Sequence, residues 1–189
     1  MKTAKLSAIK KFLQKSMPHN GHNFSHVDRV RKNALKFAEC LKISDKLDLN
    51  LLQAICYLHD VTYIEYKGTI YPHIFESVLV KKELLKILPK FKINDQEAQV
   101  IIKACIKHPH SFPYKRLNYE MDFYTRLLQD ADTVDYFHEE RLQMVKENIN
   151  KVPFLGKYIF FFIHRAFLSG KKKLPQYLNF PELYEKTQL

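Results

Sequence analysis

Apolar residues recur at intervals of three and four through almost the whole chain, and this period constrains the fold most strongly. In one segment the stripe consists of Val27, Val30, Ala34, Phe37 and Leu41. Such spacing gives an α-helix one face that turns towards a core. The 189 residues include only 4 glycines and 8 prolines, which leaves little room for a turn-rich β-structure. The sequence therefore predicts an all-α protein.

Breaks in this period divide the chain into helices. The segment 17–25 separates the first two, and Asn23 or Ser25 is suited to cap the second. Pro72 suits a helix start, Pro89 stops a helix, and residues 61–72 are expected to be irregular. Beyond the capped helix, further helices are predicted at 3–16, about 47–60, 72–88, 94–108, 120–149 (whole or in two pieces), after Pro153, and, as a short helix or packed extension, after Gly170.

Length and cysteine usage fit one reduced domain. A chain of 189 residues is long enough for a sizeable core, and it shows no internal repeat or linker. Cys40, Cys56 and Cys105 are odd in number, far apart and placed in apolar stripes, which predicts free thiols in an intracellular protein. The N-terminal residues lack the continuous apolar core of a signal peptide. We therefore expect a cytoplasmic protein.

The most apolar stretch, VPFLGKYIFFFIHRAFL, is expected to be a buried helix without contact to a membrane. It is shorter than a bilayer requires, and it carries Lys157, His164 and Arg165.

The chain is strongly basic, with a net charge of +11 from 31 basic and 20 acidic residues. This charge attracts polyanions such as nucleotides or RNA. The lysines are scattered and no motif that reads nucleic acid stands out, so a solvated surface is favoured over a nucleic-acid site. A small phosphorylated substrate would still benefit from the positive field.

The adjacent His59 and Asp60 close the apolar run AICYLHD and call for partners. A carboxylate that leaves water must be paired, hydrogen-bonded or bound to a metal. His26 lies at the start of the second helix and Asp132 lies in the run LLQDADTVDYF. Taken singly, each histidine could be a satisfied core residue and Asp132 a cap or surface charge. Together they offer two imidazoles and two carboxylates, a donor set that suits divalent Mn, Fe, Co, Ni or Zn and suits Mg less well.

Three segments in this order resemble the HD superfamily of metal-dependent phosphohydrolases. They are HNFSHVDRVRKNALKFAE, LLQAICYLHDV and LLQDADTVDYF, and the resemblance covers about residues 20–137. It implies an all-α helical bundle with the site in its middle, as one HD domain over 1–189 with a C-terminal helical extension at 138–189. The metal ligands that it implies are His26, His59, Asp60 and Asp132. Asp130 and Asp135 are then outer hydrogen-bond acceptors or helix-packing residues.

Other residues are assigned to the reaction itself. Arg29, one turn from His26, is the first choice for the positive group that stabilises the phosphoryl oxygens, with Lys115 and Arg116 as further candidates; a surface ion pair with Asp28 is the alternative for Arg29. Glu65 is a candidate proton-transfer group, or else a surface residue.

The pocket itself is expected to include further side chains from the middle of the chain. His73 and His108 are predicted to line it and bind substrate or water, and a second metal ion at these histidines is the less favoured alternative. His22 stands where relatives often have a histidine or polar group, and Tyr136 resembles pocket tyrosines of some relatives.

These residues predict a metal-dependent phosphohydrolase of a nucleotide or another small phosphate ester. One divalent ion is expected, and a second ion and a homodimer stay open. The chain lacks the Gly-Tyr-Pro signature of cyclic-di-GMP hydrolases and the flanking domains of alarmone synthetase-hydrolases, so both are disfavoured. The alternatives are a di-iron oxygenase of HD-like fold and a non-catalytic regulatory domain that binds metal or nucleotide.

Overall fold

The computed structural model describes residues 1–17, 23–66, 71–109, 121–149 and 156–187. Within these ranges, the side chains at 71–74, 145, 148–149, 156–160, 162–163 and 186–187 are outside the description. Every helix or strand element in the described part of the chain is helical, as predicted. The α-helices are α1 (Thr3–Ser16), α2 (Phe24–Cys40), α3 (Leu49–Leu58), α4 (Thr62–Glu65), α5 (Tyr71–Ile87), α6 (Asp95–Lys107), α7 (Phe123–Tyr136), α8 (Glu139–Ile149), α9 (Gly156–Lys172) and α10 (Glu182–Thr187).

Side-chain caps explain where several of these helices begin. The Asn23 side chain accepts a hydrogen bond from the backbone N–H of His26 at 2.9 Å, so Asn23, and not Ser25, is the N-cap of α2. Asn94 and Glu97 form a reciprocal capping box at the start of α6. Asp48 and Asp122 cap α3 and α7 in the same way as Asn23. Each cap satisfies an N–H group that has no partner inside its helix.

Two predicted helix boundaries near His59 and Asp60 are wrong. The third helix was expected to run to residue 60, but α3 ends at Leu58. The backbone then makes a tight turn, in which Val61 N donates to Leu58 O and Tyr63 N donates to Asp60 O. The stretch after the pair was expected to be irregular, but α4 forms there at Thr62–Glu65. His59 and Val61 keep helical backbone angles, so this tight turn joins α3 directly to the next helix.

The centre of the molecule is formed by α2, which packs against both α3 and α7. Val27, Val30, Ala34 and Phe37 of the predicted stripe are fully buried, whereas its last member, Leu41, caps α2 and is only partly buried. Ala34 and Ala38 have small side chains, and this allows close approach of neighbouring helices. A fully buried side chain such as Phe37 contributes about 1.5–3 kcal/mol relative to an exposed one.

The predicted helix over 120–149 is divided into α7 and α8 at Phe137 and His138. Phe137 is buried and packs its ring against Phe167 of α9, with ring centroids 5.6 Å apart. The aromatic helix α9 was expected to be buried, but among its described side chains Phe161 and Leu168 are exposed. Phe167 and Gly170 are buried and His164 is partly buried, so α9 buries one face and exposes most of its other described side chains. No helix in the described ranges combines the length and hydropathy that crossing a membrane requires.

The chain after Gly170 packs into the same core as the N-terminal helices. Leu174, Leu178, Phe180 and Leu183 belong to the continuous buried cluster. The short helix expected in this tail is α10, which follows a 3-10 turn at Leu174–Gln176.

Candidate metal site

His26, His59, Asp60 and Asp132 meet in the middle of the bundle, from three different parts of the fold. His26 lies in the first turn of α2, His59 and Asp60 follow α3, and Asp132 lies on α7. The two imidazoles and Asp60 are buried, whereas Asp132 is partly exposed. The resemblance predicted this set, and the structure places its polar atoms together. We call these four residues the ligand cluster.

The His26 Nε2 atom lies at the centre of the short distances in the ligand cluster. It is 3.1 Å from Asp60 Oδ2, 3.2 Å from His59 Nε2 and 3.4 Å from Asp132 Oδ1. His59 Nε2 is 3.5 Å from Asp60 Oδ2 and 3.8 Å from Asp132 Oδ1. Bonds of about 2.0–2.2 Å to one ion place neighbouring ligand atoms about 3.0–3.5 Å apart. The three distances from His26 Nε2 match this spacing, and His26, His59 and Asp132 form a group whose atoms could hold one divalent ion.

The outer nitrogen atoms of both imidazoles are held by hydrogen bonds. His26 Nδ1 donates to Asp135 Oδ2 at 2.6 Å, and His59 Nδ1 donates to the Cys56 carbonyl at 2.7 Å. In the neutral tautomers that these bonds select, both Nε2 atoms carry lone pairs, and these lone pairs face each other and two carboxylate oxygens. Such an arrangement is repulsive unless a cation lies among the atoms. Anchoring of the remote nitrogen is the usual support of a metal-binding histidine.

The pKa values of the two imidazoles in the ligand cluster are shifted in opposite directions. Burial and the Arg141 charge lower the pKa of His26, but hydrogen bonds to Asp135 and Asp60 outweigh them, so its pKa is raised. Burial dominates at His59 and lowers its pKa. Burial raises the pKa of Asp135, yet hydrogen bonds from His26 and Arg29 bring it down to about 2.

Arg29 does not pair with Asp28, the alternative that its position in the sequence suggested. Its Nε donates to Asp135 Oδ1 at 2.6 Å, its Nη2 donates to Asp135 Oδ2 at 3.2 Å, and its Nη1 pairs with Glu140. Asp28 instead accepts from Arg31, Lys32 and Tyr57. Adjacent residues on a helix point about 100° apart, which separates Arg29 from Asp28. Asp135 is an outer acceptor, one of the two roles predicted for it.

A third buried histidine, His108, borders the ligand cluster on its other side. Its ring centroid is 5.0 Å from that of His59, and its Nδ1 donates to the Cys105 carbonyl at 2.7 Å. Its Nε2 is 3.3 Å from Glu76 Oε1. Burial lowers the pKa of His108, but Glu76 outweighs this and raises it to about 9. His59, Asp60 and His108 form a second group whose atoms could hold an ion.

Glu76 and Arg141 are site residues that the sequence did not reveal. Glu76 follows a kink in α5 at Phe75, and no motif or stripe in the sequence singles it out. Arg141 lies on α8, with its Nη1 3.9 Å from both Asp132 Oδ1 and Asp135 Oδ2. The sequence does place a cation, Arg141, four residues after the last motif, but the direction of its side chain depends on the break between α7 and α8.

Asp130 faces away from the ligand cluster. Its carboxylate accepts hydrogen bonds from the backbone N–H groups of Asn179 and Phe180 and from the Asn179 side chain, at 2.7–3.0 Å. This agrees with the choice of Asp132 as the ligand in the Asp-Ala-Asp motif. Asp130 holds the C-terminal segment against α7, which is the packing role considered for it.

The remaining predicted residues lie at the edge of the described site or outside it. Tyr136 is 45% exposed, with the Arg141 guanidinium 5.7 Å from its ring centre. Glu65 is exposed at the end of α4. His73 lies on α5, but its side chain is outside the described residues, as are His22, Lys115 and Arg116 altogether. The roles of Glu65, His73, Lys115 and Tyr136 stay predictions.

Comparison with known families gives a match over the part of the chain that carries the ligand cluster. The family model for the HD domain matches residues 23–136, which include all four members of the cluster. The chain belongs to the HD-domain family. HD domains are usually metal-dependent hydrolases, and their divalent metal chemistry agrees with the two imidazoles and two carboxylates that meet here. No match was found among curated proteins or among solved structures.

Proposed function

We propose that this HD domain is a phosphohydrolase that cleaves a nucleotide or another small phosphate ester with one divalent ion. The observation that carries the proposal is that His26 Nε2 lies 3.1–3.4 Å from Asp60 Oδ2, His59 Nε2 and Asp132 Oδ1. Mixed nitrogen and oxygen donors favour Mn, Fe, Co, Ni or Zn over Mg. The net charge of +11 supports an anionic substrate.

A divalent ion in the ligand cluster would lower the pKa of a bound water and polarise a phosphoryl oxygen. The protein's own contribution is to hold the donors in place. Asp135 and the Cys56 carbonyl fix the orientation of His26 and His59, and Arg29 fixes Asp135 in turn. The buried walls around His59 limit the access of bulk water. The donors are therefore fixed before substrate arrives.

His108 and Glu76 add a proton-carrying pair beside the ligand cluster. Because the pKa of His108 is about 9, its imidazole is protonated at neutral pH. A protonated imidazole is an attractive neighbour for a phosphate anion and a poor metal ligand. This favours one ion and agrees with a substrate-binding role for His108. A second ion would have to displace that proton and separate His108 from Glu76.

The direct test is a screen of metal-loaded protein against nucleoside mono-, di- and triphosphates, with elemental analysis of the same sample. We expect phosphate or pyrophosphate release from at least one class and one ion per chain. Asp60→Ala should abolish both metal uptake and hydrolysis while far-UV circular dichroism still reports a helical protein.

Asp28→Asn is the matched control, because Asp28 lies on the same helix as His26 but pairs with Arg31 and Lys32. It should keep both properties. Full activity of Asp60→Ala would contradict the mechanism.

An oxygenase is the second candidate, because His59, Asp60 and His108 form an additional group able to hold an ion. It requires two iron ions per chain and consumption of oxygen. The regulatory alternative requires binding of metal or nucleotide without turnover. One ion per chain together with phosphate release would contradict both alternatives.

A further inference from the structure

Two arginines lie next to the carboxylates of α7, and they differ in how many of their donors are already used. Arg29 binds both oxygens of Asp135 and also Glu140, so three of its nitrogen atoms are engaged. Bidentate pairs of this kind are strong and geometrically specific. Arg29, first choice for contacting the substrate phosphoryl group, is therefore committed to positioning Asp135. Only one further N–H donor on each Nη atom remains beyond these contacts.

The guanidinium of Arg141, in contrast, forms no close pair with a carboxylate of the described residues. Its nearest carboxylate oxygens, on Asp132 and Asp135, are both 3.9 Å from Nη1, well beyond the distance of about 2.7–2.9 Å for a charged hydrogen bond. No shorter polar contact of its guanidinium occurs in the part of the chain that the structure describes. The guanidinium of Arg141 therefore lies near the ligand cluster without forming a close hydrogen bond to it.

The guanidinium of Arg141 lies at the edge of the ligand cluster, between Tyr136 and Asp132. The guanidinium lies 5.7 Å from the centre of the Tyr136 ring, which is within cation–π distance. The side chain is only 14% exposed. The Asp132 oxygen nearest to it is the same atom that lies 3.4 Å from His26 Nε2. Arg141 therefore stands directly beside an atom of the proposed metal site.

We infer that Arg141 is the residue that binds the substrate phosphoryl group, in the role that the sequence assigned to Arg29. This inference rests on the proposed function and adds the phosphate subsite to it. A guanidinium offers a planar fork of donors that matches two oxygens of a phosphate. The ligand class is a terminal or ester phosphate that would bridge the Asp132 side of the cluster and α8. Tyr136 then supports Arg141 from the face of its ring.

The test uses inorganic phosphate as the probe and the full-length Mn²⁺-loaded protein. Phosphate affinity is measured by titration calorimetry, and kcat and KM are measured with the best substrate of the nucleotide screen. Arg141→Gln should weaken phosphate binding about tenfold and lower kcat/KM about 100-fold, with metal content and helicity unchanged. Arg141→Lys should recover part of both losses, because it restores the charge but not the fork.

Arg165→Gln is the matched control, because Arg165 is an exposed arginine of α9 whose guanidinium lies over Phe161. It should behave like the wild type. If Arg141→Gln retains phosphate affinity and kcat/KM within twofold of that control, the inference is overturned and the hydrolase proposal stands. If Arg141→Gln loses its metal, Arg141 positions Asp132 and the inference is likewise overturned.

The experiment also distinguishes the case in which the hydrolase proposal fails but the phosphate subsite is correct. Loss of phosphate affinity in Arg141→Gln, with no hydrolysis of any substrate by the wild type, would support the phosphate subsite and contradict the hydrolase proposal.

Discussion

His59 has a buried histidine on each side, His26 and His108. Both are anchored through Nδ1, but their Nε2 atoms have different partners. On one side His26 is held through Nδ1 by Asp135, and on the other side His108 is held through Nδ1 by the Cys105 carbonyl. Both present Nε2 to the interior. The Nε2 of His26 meets two carboxylates and another imidazole, whereas that of His108 meets Glu76 at 3.3 Å. Several donor atoms around the Nε2 of His26 suit a metal ion, whereas the single carboxylate at the Nε2 of His108 suits a proton.

The largest contrast is expected between alanine substitutions on the two sides. His26→Ala should lose the metal and all hydrolysis, because it removes the atom closest to every other ligand. His108→Ala should keep one ion per chain and lose only part of the turnover. Elemental analysis and phosphate release measure both effects, and His164→Ala on α9 is the control. Equal metal loss in the two variants would remove the distinction between the sides.

A smaller effect is expected for Asp135→Asn, which weakens the anchor of His26 and Arg29. Loss of an outer partner of a metal-binding histidine lowers metal affinity about 10–100-fold. The dissociation constant for Mn²⁺ measures this, with Asp28→Asn as the control on the neighbouring face of α2. An unchanged dissociation constant would show that Asp135 does not orient His26.

On the His108 side, Glu76→Gln should change the pH dependence of stability in metal-free protein. The pKa of His108 is raised from 6.5 to about 9, so its pair with Glu76 stabilises the fold fully below pH 6.5 and loses this effect as the pH rises towards 9. A shift of this size corresponds to about 3 kcal/mol. Denaturant unfolding at pH 6 and pH 9.5 should show a larger loss of stability in the wild type than in Glu76→Gln. Equal losses would mean that Glu76 does not hold the proton on His108.

The smallest effect on the site is expected at Asp130. Asp130→Asn would turn an amide donor towards a backbone N–H at 179 or 180 and cost about 1–3 kcal/mol of folding stability. Metal affinity should stay at the wild-type value, because this carboxylate faces the C-terminal segment. Denaturant unfolding measures the folding stability, and Mn²⁺ titration of the same sample measures the metal affinity. A large loss of metal affinity would place Asp130 in the site.

The ligand cluster was predictable because each member lies inside one local motif. His59 and Asp60 end an apolar run, and His26 and Asp132 stand on helical stripes whose inward faces can be counted. Glu76 and Arg141 were not predictable, because their directions depend on a kink in α5 and on the break between α7 and α8. The partner of Arg29 is 106 residues away in the sequence, and only tertiary packing brings the two together.

Helix boundaries show the same limit. The stripes located α1, α2 and α6 well, but the turn after Leu58 is absent from the apolar period. His59 and Val61 keep helical backbone angles there, so the apolar period does not mark where α3 ends.

The most direct test of the central claim is Mn²⁺ binding by Asp132→Asn and Asp130→Asn, two variants of one motif. Calorimetric titration of the metal-free proteins gives the number of ions and the affinity, and elemental analysis of the loaded proteins checks the number. The account predicts one ion for the wild type and for Asp130→Asn, and loss of that ion from Asp132→Asn. Retention of the ion by Asp132→Asn together with its loss from Asp130→Asn would contradict the ligand cluster described here.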